Sequence, residues 1–144
     1  LCAGDIVVVT EDCKFALTET TLGIPPAQIA PFVSQRIGLA KARRIMLTAA
    51  RFTGKEAHEM GLADFIAKDA DDLKVIETDI KKGVLKCAPG ANAVTKEIVL
   101  ATRHLTRKEM IEFAAKGFAE RMLSDEGKEG ISSFIEKRKP KWSK

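Results

Sequence analysis

Up to Ile66 the apolar positions come in short β-branched or mixed runs broken by polar turns, and from Asp69 onward they recur at three- and four-residue steps. Asp5 to Thr10 reads DIVVVT, a run without alternation that predicts a strand covered on both faces, as in a parallel sheet. Glu11, Asp12, Cys13 and Lys14 form a polar turn. Phe15, Ala16 and Leu17 then predict a second short strand ending at Thr18 and Glu19. Pro25 and Pro26 open a helix over Ala27 to Ile37, whose apolar residues fall at helical spacing, and Gly38 closes it. Ala40 to Ala50 predicts another helix, and Thr53 with Glu56 makes a capping box for a short helix stopping at Gly61. Leu62 to Ile66 reads as one more strand.

The second half is helical by its periodicity. Leu73, Ile76, Ile80, Val84 and Cys87 form one stripe, and Ala91, Val94, Ile98 and Ala101 form the next, opened by Pro89 and Gly90. Thr106 and Glu109 give a second capping box before Ile111, Ala115, Phe118 and Met122. Ser124 and Asp125 then cap a last helix carrying Ile131, Phe134 and Ile135. Three short strands cannot make a buried parallel sheet alone, because each needs hydrogen-bonded neighbours and a covering layer. The expectation is an α/β unit completed by further polypeptide, with residues 1–67 as the end of its core and 68–144 as a helical region.

Composition narrows the function classes. Hydrophobic residues at 45% and charged residues at 31% fit a globular chain and exclude a disordered tail or a disulfide scaffold. Apolar runs of only a few residues predict no membrane contact. Three distant cysteines without CxxC pairing read as reduced thiols, which predicts a cytoplasmic protein, with the mitochondrial matrix as the alternative. The net charge of +4 suits an anionic ligand without requiring nucleic acid. His58 and His104 have no companion at ligand spacing, so no metal site is expected, and GxGxxG, P-loop and GxSxG motifs are absent from the sequence.

Two features remain as candidate chemistry. Glu19, flanked by Thr18, Thr20 and Thr21 and followed by a Gly-Ile-Pro-Pro turn, sits at a strand end, where α/β proteins commonly place functional groups. Without further context it reads as a solvated carboxylate. The ending from Glu136 carries five cations in nine residues beside the only tryptophan, Trp142. It reads either as a solvated tail or as a phosphate-binding end with a stacking face.

The segments DIVVVTEDCKFALTETTLGIPP, IGLAKARRIMLTAARFTGKEAHEMGLAD and SDEGKEGISSFIEKRKPKW, in this order, resemble the enoyl-CoA hydratase/isomerase (crotonase) family. The resemblance implies the C-terminal part of a spiral of ββα turns with few short strands, followed by a mostly helical trimerisation region. It implies trimers or dimers of trimers, an acyl-CoA substrate, and no cofactor apart from the coenzyme A of that substrate. Glu19 matches one of two catalytic glutamates that exchange protons with water and the α-carbon while backbone amides hold the enolate oxygen. Thr18, Pro26 and Ala27 match the substrate pocket, Phe118 an aromatic position bordering the coenzyme A pocket, and Lys137 a basic position in the last helix that meets the nucleotide phosphates.

The Ala27 region departs from the commoner glycine-rich form and resembles the branch handling methylglutaconyl-CoA and isohexenylglutaconyl-CoA. The second glutamate and the oxyanion amides correspond to family positions preceding Leu1. The chain is therefore expected to be a C-terminal fragment, inactive without its N-terminal half. The alternatives are an isomerase, dehydratase or decarboxylase of the same fold, and a non-catalytic oligomerisation or RNA-binding module.

Overall fold

Val8–Thr10 (β1) pairs in parallel with Phe65–Ala67 (β4), Val9 opposite Ile66, in the computed structural model, which describes residues 1–143. The β-branched run thus forms the parallel ladder that its composition predicts, in a shorter form. Only Val9 of β1 is buried, with Val8 and Thr10 half-exposed. The ladder stops short at its front because the Val7 N–H donates to Asp64 Oδ2 at 2.7 Å, a side-chain acceptor in place of a strand carbonyl. Leu62 and Ala63 are buried but precede β4, so the predicted third strand shifts toward Ala67.

Lys14–Ala16 (β2) pairs antiparallel with Arg51–Thr53 (β3), a strand the sequence pattern does not announce. Phe15 lies opposite Phe52, and their rings stack with centroids 5.4 Å apart. The predicted helix over Ala27 to Ile37 starts later, at Ala30, with Pro31 in its first turn, because the Ala27 N–H turns back to the Pro25 carbonyl at 2.8 Å. This helix, α1 (Ala30–Leu47), is interrupted at Gly38, whose φ of 78° and ψ of 160° are non-helical and suit a residue without Cβ. Gly38 therefore separates two helical pieces, as the sequence suggests. The second piece ends at Leu47 and not Ala50, where Ala49 enters the left-handed region and the chain turns into β3.

Gly54–Met60 (α2) carries the predicted capping box, with Glu56 N–H donating to the Thr53 hydroxyl and Thr53 N–H to the Glu56 carboxylate. Gly54 packs under β1 so closely that a Cβ would stand 1.8 Å from the Thr10 carbonyl oxygen. The core of this part is Leu17, Val33, Ile37, Ala42, Ile45, Met46, Phe52, Ala57, Met60 and Leu62. Arg36 ties its edges by donating to the Leu62 and Gly4 carbonyls and to Asp64.

The chain divides into two compact units, Leu1–Asp79 and the residues from Ile80 onward, and the division falls within Ala70–Leu85 (α3). In the second unit, Pro89–Ala101 (α4), Arg107–Leu123 (α5) and Asp125–Ile135 (α6) pack in sequence. The Thr106–Glu109 box and the Ser124 cap form as predicted. The stripe assigned to α5 does not face α4. Ala114 and Gly117 are half-buried, with Val94 and Ile98 reaching the Gly117 backbone, whereas Ile111 and Phe118 are exposed at 64% and 67%. A glycine at the contact lets the helices approach, so the larger residues need not lie between them. On α6, Phe134 and Ile135 are likewise exposed.

Candidate active site

Leu17 is buried at the end of β2, and its N–H donates to the Ala50 carbonyl at 3.1 Å, holding the chain against the segment after α1. Two residues later the backbone enters a 3₁₀ turn, Glu19–Leu22. Glu19 therefore opens a helical turn and does not directly terminate a strand, which corrects its predicted setting. The Thr18 carbonyl accepts from the Thr21 N–H at 3.0 Å and from its hydroxyl at 2.7 Å, and Gly23, at φ 75°, closes the turn. The Thr20 hydroxyl donates to the Met46 carbonyl at 3.1 Å, fixing the turn to the end of α1.

This turn leaves Glu19 half-buried, with its Oε2 shielded from solvent and without a hydrogen-bond partner among the described residues. An unpaired buried acceptor costs about 1–3 kcal/mol, so folded chains seldom keep one without a use for it. Of the other pocket candidates in this unit, Thr18 and Pro26 are half-buried and Ala27 is exposed. Pro26 starts α1 by accepting from the Ala30 N–H at 2.9 Å. An apolar cleft of about 290 Å³ is lined in part by Leu17, Ile29, Phe32 and Phe52, and Thr18, Glu19, Pro26 and Ala27 are not among its lining residues. Ile29 and Phe32 read as helix core in the sequence, yet both remain exposed, at 37% and 49%.

Phe118 and Lys137 belong to the second unit. Phe118 stands on the open face of α5. Lys137 lies just past α6, after the capping residue Glu136, and has φ 54°. It is thus outside the last helix, in the left-handed region that normally favours glycine. The tail is also not merely solvated. Arg138 donates to both Glu129 oxygens, at 2.6 and 3.0 Å, and the Trp142 indole N–H donates to the Lys86 carbonyl at 3.2 Å. Hydrogen bonding by Arg138 pulls the Glu129 carboxyl from 4.5 down to about 2. Among the described residues, no three His, Cys, Asp or Glu groups gather as a metal site, and no helix is long and apolar enough to cross a membrane.

A family model described as enoyl-CoA hydratase/isomerase matches residues 1–144. The chain belongs to the enoyl-CoA hydratase/isomerase family. Members similar to it include the peroxisomal Delta(3,5)-Delta(2,4)-dienoyl-CoA isomerase of Arabidopsis thaliana, 30% identical over 99% of this chain and 51% of that protein. A probable enoyl-CoA hydratase of Bacillus subtilis is 30% identical over 97% of this chain and 55% of its own length. Among solved structures, Pseudomonas aeruginosa AtuE superposes with a TM-score of 0.96 at 46% identity, covering 99% of this chain and 55% of that one. An enoyl-CoA hydratase/isomerase from Marinobacter aquaeolei gives 0.94 at 38% identity, with 99% of this chain and 54% of that one covered. The chain spans about half the length of these hydratase/isomerase relatives, and its few short strands followed by helices are the crotonase fold over that half.

Proposed function

We propose that the protein hydrates an α,β-unsaturated acyl-CoA thioester through an enolate, with Glu19 as general acid and base at the α-carbon. The observation that carries this reading is the Glu19 Oε2, which is shielded from solvent and has no hydrogen-bond donor among the described residues. Such an oxygen is free to take or give a substrate proton, and the anchored 3₁₀ turn keeps it in one place. Thr18, Pro26 and Ala27 line the acyl side. A branched acyl group suits the Pro25-Pro26-Ala27 turn, whose form departs from the family's glycine-rich one. Phe118 borders the coenzyme A, and Lys137 meets its nucleotide phosphates.

The second carboxylate and the amides that hold the enolate oxygen fall, on this reading, in the half of such a protein that these residues do not include. Oxyanion donors commonly contribute about 3–4 kcal/mol to barrier lowering, so these 144 residues alone turn over negligible substrate. The exposed apolar residues Phe118, Leu123, Phe134 and Ile135 support assembly into trimers or dimers of trimers.

The name of the Arabidopsis relative, a dienoyl-CoA isomerase, favours a second reading in which Glu19 moves a proton between carbons without adding water. Incubating the whole protein with crotonyl-CoA or 3-methylglutaconyl-CoA in ¹⁸O-water decides between them. Label in the product, lost in Glu19→Gln, supports hydration. An unlabelled product with a shifted double bond supports isomerisation, and turnover undiminished in Glu19→Gln removes both.

A further inference from the structure

Three contacts tie the C-terminal tail to the second unit. Glu129 on α6, its side chain only 13% exposed, receives two arms of the Arg138 guanidinium and also the Lys141 N–H at 3.0 Å. Arg138 Nε donates in turn to Glu136 at 2.5 Å. The Trp142 ring lies against Gly130, where a Cβ would meet it at 3.3 Å, while its N–H is bonded to Lys86.

Lys137 sits inside this frame in the left-handed region, at the helix-end position where glycine is usual. A long side chain keeps such a conformation only where surrounding contacts impose it, and backbone strain of this sort gathers at functional positions. Its ammonium group is exposed and has no partner among the described residues, whereas the neighbouring Arg138 is fully engaged. The frame therefore spends its bonding on Glu129 and Arg138 and leaves the exposed Lys137 and Lys139 ammonium groups without a partner among the described residues, of which Lys137 alone is held in the left-handed region.

We infer that Glu129, Arg138 and Trp142 form a clasp that presets Lys137 for the phosphates of the coenzyme A nucleotide, with Glu129 as a positioning residue. This rests on the acyl-CoA reading above. A preset cation loses less conformational freedom on binding than one on a loose tail, so breaking the clasp weakens the nucleotide end of the ligand alone. The sign of the effect is diagnostic. Glu129→Gln removes a negative charge beside the site, so simple electrostatics tightens an anion, whereas loss of the clasp loosens it.

Calorimetric titration of the whole protein with coenzyme A and with pantetheine, which lacks the nucleotide, tests this. Glu129→Gln is expected to weaken coenzyme A about fivefold, the entropic share of one immobilised side chain, and to leave pantetheine unchanged. KM for acyl-CoA rises more than kcat falls, and the emission anisotropy of Trp142 drops. Combined with Lys137→Ala, it adds nothing to the loss from Lys137→Ala alone, as expected of a residue acting through another. If Glu129→Gln does not fold, Arg138→Lys, which keeps the charge and loses the fork, is expected to show the same pattern.

Unchanged or tighter coenzyme A binding in the clasp variants, with the loss present in Lys137→Ala, overturns the clasp and leaves the acyl-CoA reading standing. Wild-type affinity in Lys137→Ala overturns the clasp through its cation. Failure of the wild type to bind coenzyme A at all removes both readings.

Discussion

The hydroxyl of Thr20 donates to the carbonyl of Met46 at 3.1 Å, joining the turn that carries Glu19 to the last turn of α1. The carbonyls at a helix end lack intrahelical partners, and here one of them serves to hold a loop. Thr20→Val deletes the donor and is expected to cost about 1 kcal/mol of stability by denaturant titration. Turnover should fall as well, because the position of the carboxylate depends on that turn. Full activity at reduced stability would show that the tether does not position Glu19.

Glu19→Gln should lower kcat by about a hundredfold or more while the protein stays folded. The Oε2 makes no hydrogen bond whose loss would unsettle the turn. Circular dichroism of the variant beside its kinetics checks both halves of this expectation. A variant that loses activity only because it melts at assay temperature would contradict it.

Two glycines should respond to alanine in opposite directions. At Gly54 the new methyl would collide with the Thr10 carbonyl, so Gly54→Ala is expected to destabilise by about 2 kcal/mol or more. At Gly83, exposed within α3, nothing stands within 4 Å of the added Cβ. There the gain in helix propensity should stabilise by about 0.8 kcal/mol. Paired thermal melts measure the contrast, and equal shifts of one sign would refute the packing of α2 under β1.

Acid should release the tail. The Arg138 hydrogen bond, opposed by desolvation and aided by the Lys141 N–H, holds the Glu129 carboxyl at about 2 against an ordinary 4.5. A lowered folded-state value means that the stabilisation is complete above 4.5 and is lost as the pH falls from there through about 2. Trp142, as the only tryptophan, reports this directly through its emission. Glu129→Gln should show no acid step in that window. The capping carboxylates add a loss of the same sign, visible as helicity. Glu56 is lowered first by the Thr53 N–H and Glu109 first by the Thr106 hydroxyl.

Local signals in the chain translate well into structure. Thr53 with Glu56, Thr106 with Glu109, and Ser124 each act within four residues, so their caps form wherever the helix lies. Gly38 breaks α1 for the equally local reason of its backbone freedom. β3 was not legible, since Arg51–Thr53 has no periodicity and becomes a strand only because Phe52 pairs with the distant Phe15. The α5 stripe stays exposed because helical spacing identifies an apolar face without saying what covers it. Gly117, small and unremarked, decides which side meets α4.

By itself, then, the sequence determined the capping boxes and the helices of the second half, the parallel character of the DIVVVT strand and the family, and it singled out Glu19 as a candidate. These depend on residue type and short-range spacing, or on motifs read in order. Only the tertiary structure decided that Glu19 opens a 3₁₀ turn with one oxygen shielded and unpaired, that β2 finds β3, and that Lys137 is displayed by a tail clasped through Glu129. The β2–β3 pairing and the Trp142–Lys86 and Arg138–Glu129 contacts join residues far enough apart in the chain that no local preference sets the partner, and the shielding of Glu19 depends on what packs around its turn. Burial and hydrogen-bond pairing are properties of the folded neighbourhood, and a linear pattern does not contain them.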